Sequence, residues 1–307
     1  MEFNHISVLL EESVESLNIK SDGVYVDCTA GGGGHSAEIL KKLSENGRMV
    51  LIDRDPDAIE VLTKRFESDK RVTIVNDNFS NIKSILALLS IDSVDGIVAD
   101  LGVSSFQLDT PERGFSFHND APLDMRMEKK GKSAKDVVNT YSQQQLFNII
   151  DKFGEEKFAH KIASNIVKAR EKQPIETTLQ LADIISESIP AKFKRDGHPA
   201  RKTFQAIRIE VNAELLSVEN ALPDMFGSLN SGGVLSIITF HSLEDKIVKE
   251  YFNTLKQGCT CPKDFPVCVC GKKPKAIVKS GGIKAGKEEV NDNKRSRSAK
   301  LRTAVKI

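Results

Sequence analysis

The stretch YVDCTAGGGGHSAEIL, residues 25–40, decides the reading of the fold. It places a hydrophobic run, four successive glycines and a segment of helical spacing end to end. Glycine loses more conformational freedom on folding than any other residue, so four together mark a point of close approach to the backbone. A strand, a glycine turn and a helix in that order open a nucleotide-type α/β unit.

Working outward, the first hundred residues alternate. GVYVDCT (23–29), GRMVLIDRD (47–55), RVTIVND (71–77) and VDGIVADLG (94–102) read as strands. Between them HSAEILKKLSE (35–45), DAIEVLTKRF (57–66) and NIKSILALLS (81–90) read as helices. Short connections between such units imply a mostly parallel sheet covered on both faces. The rhythm stops at Thr110, and no segment up to Pro199 reads as a buried strand. Residues 133–154, 156–172 and 177–190 instead carry apolar residues at i, i+3 and i+4, punctuated by Pro174 and Pro190. A helix over 200–222, a strand over 232–240 and a helix from His241 follow, with Ser242 and Asp245 spaced as a capping box. Segments 275–280 and 301–307 pair as a hairpin around a loop at 281–294. The expected division is therefore 1–109 and 200–307 in one α/β domain, with a helical insertion at 110–199.

With 307 residues, 39% apolar and 28% charged, the chain has the makings of an ordinary soluble globule with a substantial core. Its N-terminal stretch lacks the basic and apolar regions of a secretory signal, and no apolar run approaches the ~20 residues of a membrane helix. A cytoplasmic enzyme is the expectation. The net charge of +1 conceals an asymmetry: Lys272–Ile307 holds twelve Lys/Arg against three Asp/Glu. A second basic cluster, KFKRDGHPARKTF, spans 192–204. Such patches suit a polyanionic partner, with a solvated basic tail as the plainer alternative.

Four of the five cysteines fall in CTCPKDFPVCVC, at Cys259, Cys261, Cys268 and Cys270. Cytosolic thiols stay reduced, and the one-residue spacing within each pair is tighter than the usual zinc pattern. Reduced structural thiols are the expectation, with a tetrahedral metal as the alternative if the loop doubles back through Pro262 and Pro266.

The glycines are not a P-loop, since no Lys-Ser or Lys-Thr follows them. A dinucleotide pattern fits loosely, with Gly32, Gly34 and then Ala37, and Asp53 lies where a carboxylate takes two ribose hydroxyls. Ligands of open parallel sheets lie beyond the C-terminal strand ends, where this chain puts Asp27, Asp53, Asp55, Asp77 and Asp100. Diphosphates are repelled by such a rim, whereas S-adenosylmethionine offers a ribose, a sulfonium and an ammonium without phosphate. Some of these aspartates are expected to be turn formers only.

Several motifs then carry a resemblance. HISVLLEE (5–12), DCTAGGGGHS (27–36), IVADLGVSSFQLD (97–109) and RGFSFHNDAPLDMRM (113–127) come in order. GHPARKTFQAIRIEVNAEL (197–215), GGVLSIITFHSLEDKIVK (232–249) and KRSRSAKLR (294–302) follow. Together they resemble the RsmH (MraW) family of 16S rRNA methyltransferases, although Ser7 and Lys294 stand where proline is usual. The resemblance implies a class I S-adenosylmethionine-dependent methyltransferase fold, α/β and Rossmann-like with a mostly parallel sheet, carrying an inserted α-helical domain. It implies transfer to the N4 amine of a cytosine in the decoding centre, with 16S rRNA or the small ribosomal subunit as partner and a monomer or homodimer as the state. It places donor contacts at Gly33, Gly34, His35, Asp53, Phe79, Asp100 and Gln107.

Asp100 is the candidate catalytic acceptor for the amine hydrogens. Phe106, Phe115 and Phe117 are candidate stacking surfaces for a base turned out of its stack. Arg201, Lys202, Arg208, Arg295, Arg297, Lys300 and Arg302 are candidate phosphate contacts. His241 is read either as lining the acceptor pocket or as a helix-cap neighbour. An NAD-type oxidoreductase and a non-catalytic rRNA-binding assembly factor are the alternative functions.

Overall fold

The computed structural model describes residues 7–194, 197–262, 266–267 and 269–307. The chain divides into two units, Met1–Gly102 with Leu215–Ile307, and Val103–Glu214.

The first unit opens with α1 (Leu10–Ser16), β1 (Val24–Asp27), α2 (Gly34–Lys42), β2 (Arg48–Asp53), α3 (Pro56–Phe66), β3 (Val72–Asn76), α4 (Ile82–Leu88) and β4 (Val94–Asp100). The second unit contains α5 (Ser105–Asp109), α6 (Ala134–Thr140), α7 (Gln143–Gly154), α8 (Ala159–Arg170), α9 (Thr178–Ser188) and α10 (Arg201–Asn212). The chain continues through α11 (Glu214–Gly227), β5 (Leu229–Thr239), α12 (Ser242–Lys256), β6 (Ala276–Val278), β7 (Ile283–Lys284), α13 (Lys287–Asp292) and β8 (Lys300–Lys306).

The strand order is β3-β2-β1-β4-β5-β8-β6, with β7 also paired to β8. The pairs β3–β2, β2–β1, β1–β4 and β4–β5 are parallel, and β8 runs antiparallel to both β5 and β6. This is the class I methyltransferase arrangement, and its order reverses between β1 and β4, where α/β sheets open a crevice for ligands. Alternation along the strands separates two apolar layers. Val26, Val50, Ile52, Ile97 and Ala99 pack on one face with residues of α4, α11 and α12. Tyr25, Met49, Leu51 and Val98 pack on the other with residues of α2 and α3. Both faces being covered explains why β2 reads as a continuous hydrophobic run.

The helical unit has its own core, to which α7 gives Leu146, Ile149 and Ile150, α8 gives Ile162 and Ile166, and α10 gives Phe204 and Ile207. Helices α7 and α10 approach closely at Gly154, where a Cβ would lie 2.9 Å from the Lys202 carbonyl oxygen. Among the described residues its extended pairing is one isolated bridge, Pro122 with Thr177.

Four details differ from the sequence expectation. The helix expected over 133–154 is two, because Ser142 turns back to cap α7 and accepts from Gln145 N. The helix expected over 200–222 breaks at Ala213, which adopts a left-handed φ of 47°. The compact helical unit spans Val103–Glu214, wider than the expected 110–199: Leu108 of α5 packs against its core, and α10 buries Phe204 and Ile207 in it. Segments β6 and β8 do pair, but β8 sits between β5 and β6, and the expected 281–294 loop contains β7 and α13. Among the described residues, no helix is long and apolar enough to cross a membrane.

Candidate active site

Three adjacent strands, β2, β1 and β4, end in Asp53, Asp27 and Asp100. Asp27 is opposite Leu51 and Val98, so Asp53 and Asp100 extend two residues further and flank Thr29. The Asp100 backbone N–H donates to Thr29 Oγ1 over 2.6 Å. The Gly31 N–H donates to Asp53 Oδ2, and the Asp55 N–H to Asp53 Oδ1, both over 2.8 Å. The glycine turn, the β2 terminus and the β4 terminus are thereby tied into one rim.

Electrostatics distinguish these acids. Burial pushes Asp53 up to about 6, against the two backbone hydrogen bonds that favour its charge. Burial also raises Asp27, despite the neighbouring His35 and hydrogen bonds from Ser36 Oγ (2.6 Å) and Thr29 N (3.1 Å). Asp100 is raised well above the carboxylate range by burial and then by Asp27 and Glu244. Its Oδ1 is sealed from solvent and has no hydrogen-bond partner among the described residues. Desolvated carboxylates without counter-charges favour their neutral forms, and a cation placed among them reverses that preference.

The other two rim acids do local work. Asp55 caps α3, accepting from Asp57 N over 3.0 Å. Asp77 accepts from Asn78 N (2.7 Å) and Asn81 Nδ2 (2.8 Å) in the turn after β3.

The glycines also divide. Gly33 has a φ of 77°, and a Cβ there would sit 2.7 Å from the Phe66 ring. A Cβ on Gly34 would lie 1.8 Å from Ser7 Oγ. The close approach that demands these two glycines thus comes from the chain's own side chains. Gly31, with a φ of 51°, has a Cβ position that would only touch the Thr29 carbonyl oxygen at 3.8 Å, and it gives its N–H to Asp53.

His35 is buried at the start of α2, with Nε2 3.2 Å from the Val8 carbonyl oxygen. Burial lowers its pKa against the pull of Asp27, so the neutral ring donates that bond. It fastens the segment before α1 onto α2, a structural task beside whatever contact it makes with a ligand. Phe79 opens a short turn after β3 and packs in the sheet's core at 9% exposure. Gln107 lies in the helical unit, buried at the third position of α5, where its Oε1 accepts from Ser104 N in a reciprocal cap.

Four partners of these residues escaped the sequence reading: Ser7, Thr29, Ser36 and Glu244. Glu244 is 1% exposed and accepts from Phe240 N over 2.9 Å. His241 caps α12 with Glu244 as its reciprocal partner, which displaces the expected Ser242–Asp245 box. The His241 Nε2 stands 3.1 Å from Glu244 Oε1, at ion-pair distance but outside hydrogen-bond geometry. Asp245 instead binds Lys300 Nζ (2.8 Å), Arg302 Nε (2.6 Å) and Arg302 Nη2 (3.0 Å).

The MraW methylase family model matches residues 2–307. The ribosomal RNA small subunit methyltransferases H of two Clostridium botulinum strains, Kyoto and Loch Maree, are each 58% identical to this chain, with both chains covered in full. The chain belongs to the MraW methylase family. Among solved structures, an rRNA methylase from Streptococcus thermophilus aligns over 99% of each chain at 11% identity and a TM-score of 0.43.

The expected RNA-facing residues of this MraW-family chain are not equivalent. Lys300 and Arg302 are committed to Asp245, and Arg208 is bidentate to Glu214 at 2.8 and 2.9 Å. Lys202 donates to the Glu155 carbonyl oxygen over 2.9 Å. Arg201, Arg295 and Arg297 are exposed. Phe115 is buried in the helical core, Phe106 is half-buried, and Phe117 stacks on His198 at 4.4 Å.

Proposed function

We propose that this chain transfers a methyl group from S-adenosylmethionine to the exocyclic N4 of a cytosine in the decoding centre of 16S rRNA. The observation that carries the reading is the sealed Oδ1 of Asp100, which has no hydrogen-bond partner among the described residues and lies among the carboxylates of Asp27 and Glu244. A buried oxygen left without a donor is costly, and a cationic or N–H-bearing ligand satisfies it. Family membership and the names of the full-length relatives support an RNA of the small subunit as acceptor.

The residues present fit the donor. Asp53, at the tip of β2, takes the ribose hydroxyls; Gly33 and Gly34 shape the turn beside the methionine moiety, and His35 holds the start of α2. Phe79 packs against the adenine. When bound, S-adenosylmethionine supplies an electrophilic methyl group on a positively charged sulfur.

The acceptor amine is a poor nucleophile because its lone pair is conjugated into the cytosine ring. Asp100 accepts an amine N–H, which localises that pair as nitrogen gains positive charge. Glu244 and Asp27 make the Asp100 region more negative, and that field favours the cationic transition state. The remaining contribution is alignment of amine and methyl, held by the rim and the glycine turn. No covalent nucleophile is needed. Exposed Arg201, Arg295 and Arg297 serve the RNA backbone, and such a substrate places the enzyme in the cytoplasm.

The test is mass mapping of methylated cytosines in 16S rRNA from cells with and without the protein, joined to radiolabelled methyl transfer onto purified small subunits. Loss of one N4-methylcytosine in the deletion, restored in vitro, is the expected result. An unchanged map together with no label incorporation overturns the reading.

A further inference from the structure

Outside the rim, the chain carries a second concentration of chemistry that methyl transfer does not use. Between α12 and β6, the described residues of 257–275 form no helix or strand. Loops of that length in compact domains call for something to hold them. Here the Sγ atoms of Cys259, Cys261 and Cys270 lie within 4.8 Å of one another.

The spacing is informative. Sulfurs sharing one tetrahedral zinc at ~2.3 Å stand ~3.8 Å apart. Cys259 Sγ and Cys270 Sγ are 3.7 Å apart. A disulfide needs about 2.05 Å and joins two sulfurs, which gives the third no reason to converge. Backbone donors surround the sulfurs as well: Cys261 N–H points to Cys259 Sγ and Thr260 N–H to Cys270 Sγ, each at 3.4 Å. Such outer hydrogen bonds orient and stabilise metal-bound thiolates. Three thiolates on a divalent ion leave one net negative charge, and Lys272 and Lys273 follow immediately in the chain.

We propose that Cys259, Cys261 and Cys270 bind a structural zinc ion that clips the 257–275 loop. Cys268 lies outside the described residues, and the three-thiolate set stands without it. The one-residue spacing that argued against a metal from sequence is overcome because the chain returns Cys270 to Cys259 across eleven positions. Metal binding then contributes to folding directly, since the unfolded loop has no assembled site. It also fixes the start of the Lys272–Lys275 segment, which lines a cleft of about 790 Å³ with Tyr251 and Phe226.

The full chain, purified without chelator, is analysed for metal by mass spectrometry, with one zinc per chain expected. Exchange with Co²⁺ should give the intense near-ultraviolet absorption of thiolate–cobalt charge transfer. Cys259→Ser, Cys261→Ser and Cys270→Ser should each abolish that band while Cys28→Ala retains it. Chelation should speed protease cleavage within 257–275 several-fold. Metal-free protein that gives no cobalt band overturns the proposal, as does a Cys259–Cys270 disulfide found by non-reducing peptide mapping of the protein as isolated. If a serine variant fails to fold, the wild-type cobalt titration still decides.

Discussion

Gly31 and Asp53 are 22 positions apart in sequence, yet the N–H of one donates to Oδ2 of the other over 2.8 Å. The turn after β1 is therefore fastened to the carboxylate that closes β2, and anything that alters Asp53 alters the shape of the glycine turn. Asp53→Asn weakens donor binding by about 10- to 100-fold, the loss of one charge-assisted hydrogen-bonding group at roughly 1.5–3 kcal/mol. Calorimetric titration with S-adenosylhomocysteine measures it, and an unchanged affinity refutes the ribose assignment.

The same residue gives a pH dependence with a definite sign. Its native pKa of about 6 lies above the ordinary 3.8, so the ligand-free native state binds the Asp53 proton more tightly than the unfolded chain does. Stability from this group is greatest when it is protonated and falls as pH rises from about 4 through 6. Donor affinity moves oppositely, rising through about 6 as the carboxylate forms. Denaturant midpoints from pH 4 to 8 should lose this component of their slope in Asp53→Asn.

Asp100→Ala should lower methyl transfer by about 100-fold or more, the scale of losing one aligned electrostatic group. The unfolding midpoint should stay level or rise, because a buried acid beside two others is removed. Single-turnover rates and thermal melts separate the two effects. Near-normal turnover would remove Asp100 from the mechanism.

Gly34→Ala tests the packing of the turn against the segment before α1. The added Cβ would fall 1.8 Å from Ser7 Oγ, so one of them must move. Overpacking of this kind costs about 1–3 kcal/mol. Ser7→Gly in the same chain should recover most of it, and a double-mutant cycle reads the coupling. Additive effects would show that Ser7 is not the obstacle.

Arg201→Ala and Arg302→Ala should behave differently although both were read as phosphate contacts. Burial pushes Asp245 up, yet the hydrogen bonds of Arg302 and Lys300 outweigh it and hold the carboxyl below its usual range. Arg302→Ala should therefore destabilise the fold by about 1.5–3 kcal/mol. Arg201→Ala should leave stability level, weaken rRNA binding and flatten its salt dependence by about one unit of slope. Filter binding across a salt series distinguishes them.

The strands β1 to β4 were legible because each is an apolar-rich run with an aspartate at its end or just after it, and turn chemistry marks its boundaries. Asp53 and Asp100 were legible for the same reason. Paired groups were not: nothing in the spacing joins Ser36 to Asp27 or Thr29 to the Asp100 backbone, since those contacts depend on strand register. The break at Ala213 was hidden because alanine is a strong helix former and the apolar pattern continues across it. Arg302 read as an RNA contact because its charge shows in sequence while its burial against Asp245 does not. The C-x-C spacing pointed away from a metal because convergence of Cys259 with Cys270 is a property of the folded loop.

The pairing of β4 with β5 has a consequence for biosynthesis. Asp100 leaves the ribosome well before Leu229, and at ordinary elongation rates the interval is on the order of ten seconds. Throughout it the nascent β4 has an unsatisfied edge, open to pairing with any other strand. The helical unit, whose apolar core is its own, is synthesised during that wait. Chains stalled with residue 214 just emerged should therefore hold a protease-resistant helical unit beside an unfinished, aggregation-prone half-sheet.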